Sequence, residues 1–185
     1  MRKKMSFETP VNRSSEELHY AVGKSSVGAV GVALSPKGVV AILLDDDAER
    51  VVQRLQDCFP KAHLSDDGDQ ECRGYVKEVV AYIESPALGL DLPLDIRGTA
   101  FQKKVWQVVQ ETPAGETTTY TEVARKIGAP KAMRAVGNAC SNNLLALAIP
   151  CHRVTRSDGS PPKGEHWGTN RWQVLMEREA EAASS

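Results

Sequence analysis

The chain holds 185 residues, 41% hydrophobic and 25% charged, which is enough apolar material for one sizeable core or two small ones. Met1 to Ser14 contains basic residues but no apolar run of about seven, and nowhere do roughly 18 apolar residues follow one another. Neither a secretory leader nor a membrane span is therefore expected, and the reading is a soluble, cytoplasmic or nucleoid-associated protein that does not engage membranes.

The formal charge of −1 hides an asymmetry. Residues 1–96 carry 11 basic and 16 acidic side chains, residues 97–185 carry 12 and 8, and residues 97–156 alone carry nine and three. The second half is the candidate partner for nucleic acid, because Lys and Arg neutralise phosphates and release counterions. An ordinary mixed surface shows a bias of this size as well. Cysteines at 58, 72, 140 and 151 give no C-x-x-C pair and no zinc-finger spacing, so no metal and no cofactor are expected.

In chain order, Leu18–Ser25, Val27–Leu34 and Val39–Leu44 read as short strands, the last two joined by a Ser35-Pro36-Lys37-Gly38 turn. Asp46–Phe59 and Gln70–Ser85 have helical apolar spacing (Val51, Leu55, Cys58; Val76, Val79, Val80, Ile83), with acidic residues near each start. Ala87–Arg97 reads as a connecting stretch. Thr99-Ala100-Phe101-Gln102 fits a capping box opening a helix with an apolar face of Phe101, Val105, Val108 and Val109, stopped near Pro113. Gly115 to Thr119 is a turn or short strand. A second capping box, Thr119-Tyr120-Thr121-Glu122, starts a short helix ending at Gly128, and Pro130 suits the first position of the next. A turn of two or three residues between them would make a helix-turn-helix.

At 100° per residue, the helix from Pro130 to about Ser141 turns Met133, Val136 and Cys140 inward. Arg134, Gly137, Asn138 and Ser141 face outward. Those short side chains around one Arg form a surface that a nucleic-acid backbone can approach closely, and Gly137 removes a Cβ from it. Taken alone, the same face is also an ordinary solvated one. Further on, Pro150-Cys151-His152-Arg153-Val154 places a thiol beside an imidazole and a guanidinium, groups that favour a nucleophilic thiolate. Neighbours in sequence usually point apart, so the pair alone equally describes a buried structural cysteine.

Ile149 to Val154 resembles the active-site motif of the O6-alkylguanine-DNA alkyltransferases, suicide proteins that move an alkyl group from DNA to their own cysteine. Leu92 to Gln102, Val105-Trp106, Pro130 to Val136 and Arg178-Glu179-Ala180 extend the resemblance, which runs from about Leu18 to Ala180. It implies an α/β (α+β) fold: an N-terminal RNase H-like antiparallel sheet with helices, then a helical winged helix-turn-helix alkyltransferase domain. The boundaries read as a tail at 1–17, the first domain at 18–90, a connector at 91–98, the second domain at 99–181 and a tail at 182–185. Longer relatives carry a four-cysteine zinc domain ahead of this region; its absence here implies no regulatory role.

By the same resemblance Cys151 is the nucleophile, His152 deprotonates it through a water, Glu179 orients the imidazole and Asn143 completes the network. Tyr120 and Arg134 rotate the nucleotide out of the duplex. Ala135, Gly137, Asn138, Ser141 and Arg153 join them against DNA, and Pro150, Val154, Glu165, His166 and Trp167 with Tyr120 form the base pocket. Glu179 also reads as a surface charge among Glu177 and Glu181, and Tyr120 as a core residue at a helix start.

The implied partner is double-stranded DNA with alkylated bases, bound by a monomer, with O6-alkylguanine and O4-alkylthymine as substrates. The chain departs from the family after Arg156, where Gly-Tyr-Arg-Trp-Gly is replaced by a stretch one residue longer with Glu165 and His166 at the Tyr and Arg positions. A carboxylate there must be desolvated or turned outward, which implies slower transfer. Two alternatives follow: a weak or non-catalytic lesion sensor, against which the intact Cys151 argues, and a cysteine transferase repurposed for a non-DNA electrophile.

Overall fold

The structure is a computed structural model that describes residues 16–66, 68–162, 167 and 169–184. β1 (Glu17–Ser25), β2 (Gly28–Ser35) and β3 (Gly38–Asp45) form the expected antiparallel meander. A three-residue strand that sequence patterning did not reveal, β4 (His63–Ser65), adds in parallel to β1 and gives the order β3-β2-β1-β4. With so short an apolar pattern, β4 is specified by its partner: His63 N donates to Glu16 O at 2.7 Å.

Every residue of β3 is buried, because both faces of the sheet are covered. Helix α1 (Ala48–Cys58) covers Ala29, Ala33 and Leu43 with Val51 and Leu55. Gly31 is needed beneath it, since a Cβ there would lie 2.2 Å from Val51 Cγ1. Helix α2 (Gln70–Glu84) covers the opposite face, where Ala21, Val30, Val32 and Ile42 meet Val76, Val79 and Ile83. Both helices start on the residue after a capping aspartate, Asp47 accepting from Arg50 N and Asp69 from Cys72 N. Between Ala33 and Leu34 the β2–β3 register shifts, Val40 being the extra residue, so Val40 and Ala41 both serve the α1 face.

The free edge of β3 is closed by the second half of the chain. Val39 N donates to Pro93 O (2.8 Å) and Asp95 N to Val39 O (2.8 Å); Ile42 N donates to Leu144 O (2.7 Å) and Ala146 N to Ile42 O (3.1 Å). The segment leading to Cys151 is thereby fixed to the sheet. Gly38, at φ 146°, lets the connector approach, because a Cβ would lie 2.7 Å from Pro93 O.

Helix α3 (Ala100–Gln110) begins with the capping box read from sequence, Thr99 and Gln102 each bonding the other's backbone N–H. β5 (Thr118–Thr119), helix α4 (Tyr120–Lys126) and helix α5 (Met133–Ser141) follow; a 3-10 turn (Cys151–Arg153) leads to β6 (Val154–Thr155), which pairs in parallel with β5, and helix α6 (Thr169–Ala183) ends the chain. Two expectations are corrected. α5 starts at Met133 rather than Pro130, which sits in a six-residue link at 127–132 with Gly128 at φ 80°. Met133 is half exposed rather than inward, and Ala139 takes the packed position with Val136 and Cys140. The larger core runs through both halves, from Val30 and Ile42 through Val105 and Val136 to Cys151 and Leu175.

Candidate active site and nucleic-acid face

Three backbone devices deliver Cys151. Leu147, buried in the core, is the one non-glycine among the described residues with positive φ, 71°, a strained geometry held by Ala148 N to Ala146 O (2.8 Å) and Ile149 N to Leu145 O (2.9 Å). Asn143 spans the same bend, its Oδ1 accepting from Leu145 N (2.9 Å) and its Nδ2 donating to Ile149 O (2.8 Å). Pro150 then fixes entry to the 3-10 turn, with Arg153 N donating to Pro150 O at 2.9 Å.

Cys151 is 4% exposed. The adjoining Cys140 thiol and burial push its thiol well above the ordinary range, opposed by the Asn143 amide. His152 and Glu179 are fully buried, and Nε2 of the imidazole lies 2.9 Å from Glu179 Oε2. A carboxylate offers only lone pairs, so Nε2 carries the hydrogen. Nδ1 is buried with no hydrogen-bond partner among the described residues. The imidazole meets the Trp167 ring at 5.5 Å and a 50° tilt, and the residue's backbone is held by Trp172 Nε1, which donates to His152 O at 2.9 Å.

Glu179 and Arg153 each make four side-chain hydrogen bonds. Oε1 accepts from Arg153 Nε (2.9 Å); Oε2 accepts from Arg153 Nη2 (3.0 Å), His152 and the Tyr82 hydroxyl (2.5 Å). Burial alone would raise this carboxyl, yet the bonds from His152, Arg153 and Tyr82 hold it far below the usual carboxylate range. Arg153 is 7% exposed, and its remaining donors meet Thr112 O (2.7 Å) and Tyr82 Oη (3.0 Å). The expectation that Arg153 contacts DNA is corrected: the guanidinium balances a buried carboxylate and is not presented outward. Glu179 is likewise not a surface charge, since burial separates it from Glu177 and Glu181.

A cavity of about 320 Å³ is lined by Tyr120, Thr121, Met133, Arg134, Gly137, Asn138, Ser141, Arg156 and Ser157. The four outward residues read from helical spacing share its wall with Tyr120, and Ala135 is exposed beside them. Arg134 makes no hydrogen bond or ion pair among the described residues. Sequence reasoning missed Thr121, Met133, Arg156 and Ser157; only Arg156 had a signal, as the last cation of the basic stretch.

Of the residues that the resemblance assigns to the base pocket, Tyr120 lines this cavity. Pro150, Val154 and Trp167 are buried and do not line it. Val154 is consumed by the β5–β6 pair and Trp167 by its contact with His152. Glu165 and His166 lie outside the described residues. Cys151 does not line the cavity either; it sits on the inner side of α5, next to Cys140. Among the described residues no group of His, Cys, Asp and Glu is arranged to hold a metal, and no helix is long and apolar enough to cross a membrane.

Residues 100–181 match the family described as 6-O-methylguanine DNA methyltransferase, DNA binding domain. The chain is 46% identical over 164 residues to the bifunctional transcriptional activator/DNA repair enzyme Ada of Escherichia coli (strain K12), covering 89% of this chain and 46% of that protein. It therefore spans about half the length of the Ada proteins it matches. A methylated-DNA–protein-cysteine methyltransferase of Methanosarcina acetivorans is 32% identical over 142 residues, covering 77% of this chain and 86% of that one. The solved O6-methylguanine methyltransferase of Mycobacterium tuberculosis superposes with a TM-score of 0.71 at 31% identity, covering 89% of this chain and 94% of the other. With one relative matched in sequence over 86% of its length and another superposed over 94% of its chain, the chain belongs to the O6-alkylguanine-DNA alkyltransferase (methylated-DNA–protein-cysteine methyltransferase) family.

Proposed function

We propose that the protein repairs DNA by direct reversal, moving a methyl or other alkyl group irreversibly from O6-alkylguanine, with O4-alkylthymine as a second substrate, to Cys151. The observation that carries this reading is a buried thiol followed in sequence by an imidazole whose Nε2 is committed to an ionised Glu179 while Nδ1 has no partner among the described residues. Glu179 fixes the tautomer, so Nδ1 is the basic nitrogen that takes the thiol proton, directly or through a water. The thiolate sulfur attacks the alkyl carbon in line; the S–C bond forms as the C–O bond breaks, its electron pair goes to the base oxygen, and a proton returns the guanine to its ordinary form. A thioether has no easy leaving path, so each chain acts once.

An alkyl group on the guanine oxygen is hidden in the base stack, and extrusion costs a few kcal/mol. Tyr120 and Arg134, at the cavity on α4 and α5, supply the groups that displace the nucleotide, and Gly137, Asn138 and Ser141 allow the backbone close. Because Cys151 is almost wholly buried, transfer also needs an opening movement on binding. In the free protein the thiol is neutral, which spares it from stray electrophiles until a lesion is seated.

Incubation with methylated duplex DNA followed by peptide mass spectrometry tests this. One methyl increment is expected on the Cys151 peptide, none on those of Cys58, Cys72 or Cys140, and Cys151→Ala should still bind DNA. A modification on another cysteine, or more than one turnover per chain, would overturn the assignment. An unmodified protein that binds the lesion would make it a sensor instead.

A further inference from the structure

Tyr82 stands on α2, in the sheet half of the molecule, 97 positions before Glu179. It is 3% exposed, and its hydroxyl joins the carboxylate that orients His152. We propose that Tyr82 is a positioning residue for the Cys151–His152–Glu179 relay, setting both the place and the charge of the Glu179 oxygen that His152 uses. The inference rests on the alkyl-transfer reading above.

Arg153 already grips both carboxylate oxygens as a fork, Nε on Oε1 and Nη2 on Oε2. That fork fixes the carboxylate plane but draws it toward the 3-10 turn. The Tyr82 hydroxyl approaches Oε2 at 2.5 Å from the other element and accepts Arg153 Nη2 at 3.0 Å, so carboxylate, guanidinium and phenol close a three-membered ring of hydrogen bonds. Oε2 thus serves three donors, and the share of its charge left for His152 depends on the other two. The phenol is pushed well above its ordinary value by burial and by Glu179, so it remains a donor throughout the working pH range.

The titratable or charged groups bonded to this carboxylate are Tyr82 from α2 and His152 and Arg153 from the turn. Arg178, bonded to Ile83 O (2.9 Å) and Glu84 (3.1 Å), pins the same helix pair nearby without touching the carboxylate. It is the control for a merely structural role.

Tyr82→Phe keeps the ring and removes one donor. The Glu179 charge, less satisfied by its neighbours, then holds the imidazolium more firmly. The pH at which the single-turnover methyl-transfer rate reaches half its plateau should rise, and the plateau should fall roughly 5-fold, as for loss of one buried hydrogen bond. Affinity for unmethylated duplex DNA should not change. Arg178→Ala should lower the melting temperature and leave the pH profile in place. If Tyr82→Phe melts too low to assay, 3-fluorotyrosine at position 82 strengthens the donor and should move the half-rate pH downward.

A Tyr82→Phe profile that overlays that of the unsubstituted protein, an Arg178→Ala profile displaced as far, or an unmoved fluorotyrosine profile each overturns the inference alone. An unsubstituted protein that accepts no methyl group overturns the repair reading and this inference together.

Discussion

The Glu179 network and the outer face of α5 belong to one core but are built on opposite terms. In the Glu179 network the charged groups, Glu179 and Arg153, are buried and tied to partners on three elements, α2, the 3-10 turn and α6. On α5, Arg134, Asn138 and Ser141 stand exposed around a cavity, and Arg134 forms no bond or ion pair among the described residues. The difference separates two demands of one reaction. Proton transfer requires groups held to fractions of an ångström, whereas nucleotide extrusion requires side chains free to change partners. Changes in the first region should therefore damage stability and chemistry together, and changes in the second should damage function alone.

The largest effect is expected from Glu179→Gln. It removes the counter-charge of a buried guanidinium and should cost about 3–5 kcal/mol of stability as well as methyl transfer. Because the folded Glu179 carboxyl lies far below its unfolded value of about 4.3, its stabilisation is complete above that pH and is lost as pH falls toward the folded value. Thermal melts of both proteins should therefore differ most near neutrality and converge in acid. A gap that stays constant with pH would mean that Glu179 is not held ionised.

Arg134→Ala comes next. Since Arg134 is exposed and unbonded among the described residues, the fold should lose no more than about 0.5 kcal/mol. Transfer from methylated duplex should slow about 10-fold, equivalent to ~1.4 kcal/mol of the few that extrusion requires, and transfer from a short single strand should slow less. Equal losses on the two substrates would remove Arg134 from the flipping step.

These two regions were not equally legible in the sequence. The α5 face follows from a 3.6-residue period, and strands β1 to β3, the capping box at Thr99 and the helices after Asp47 and Asp69 follow from equally local rules. Position 153 illustrates the limit. A cation beside a candidate nucleophile in a basic stretch reads as a phosphate contact, and only the fold reveals that its guanidinium is spent on Glu179. Tyr82 had no signal at all, because nothing within its helix distinguishes a buried phenol that meets a carboxylate from one that merely packs. The start of α5 was misplaced for a related reason: proline favours a first helical turn, but the link from α4 needs six residues to redirect the chain.

The smallest effect, and the sharpest test of the comparison, is expected at Gly137. A Cβ built there would lie 4.0 Å from Tyr120 Cε1, an ordinary contact, so nothing in the free protein forbids alanine. Glycine inside a helix costs about 0.5–1 kcal/mol relative to alanine, and Gly137→Ala should raise the stability by that amount. If this face meets a nucleic-acid backbone, the added methyl group should at the same time weaken duplex binding and slow repair, measurable as a raised Kd by fluorescence anisotropy alongside a raised Tm. A variant that gains stability and keeps full affinity would show that DNA does not approach α5 at Gly137, and the docking face would have to be sought on another wall of the cavity.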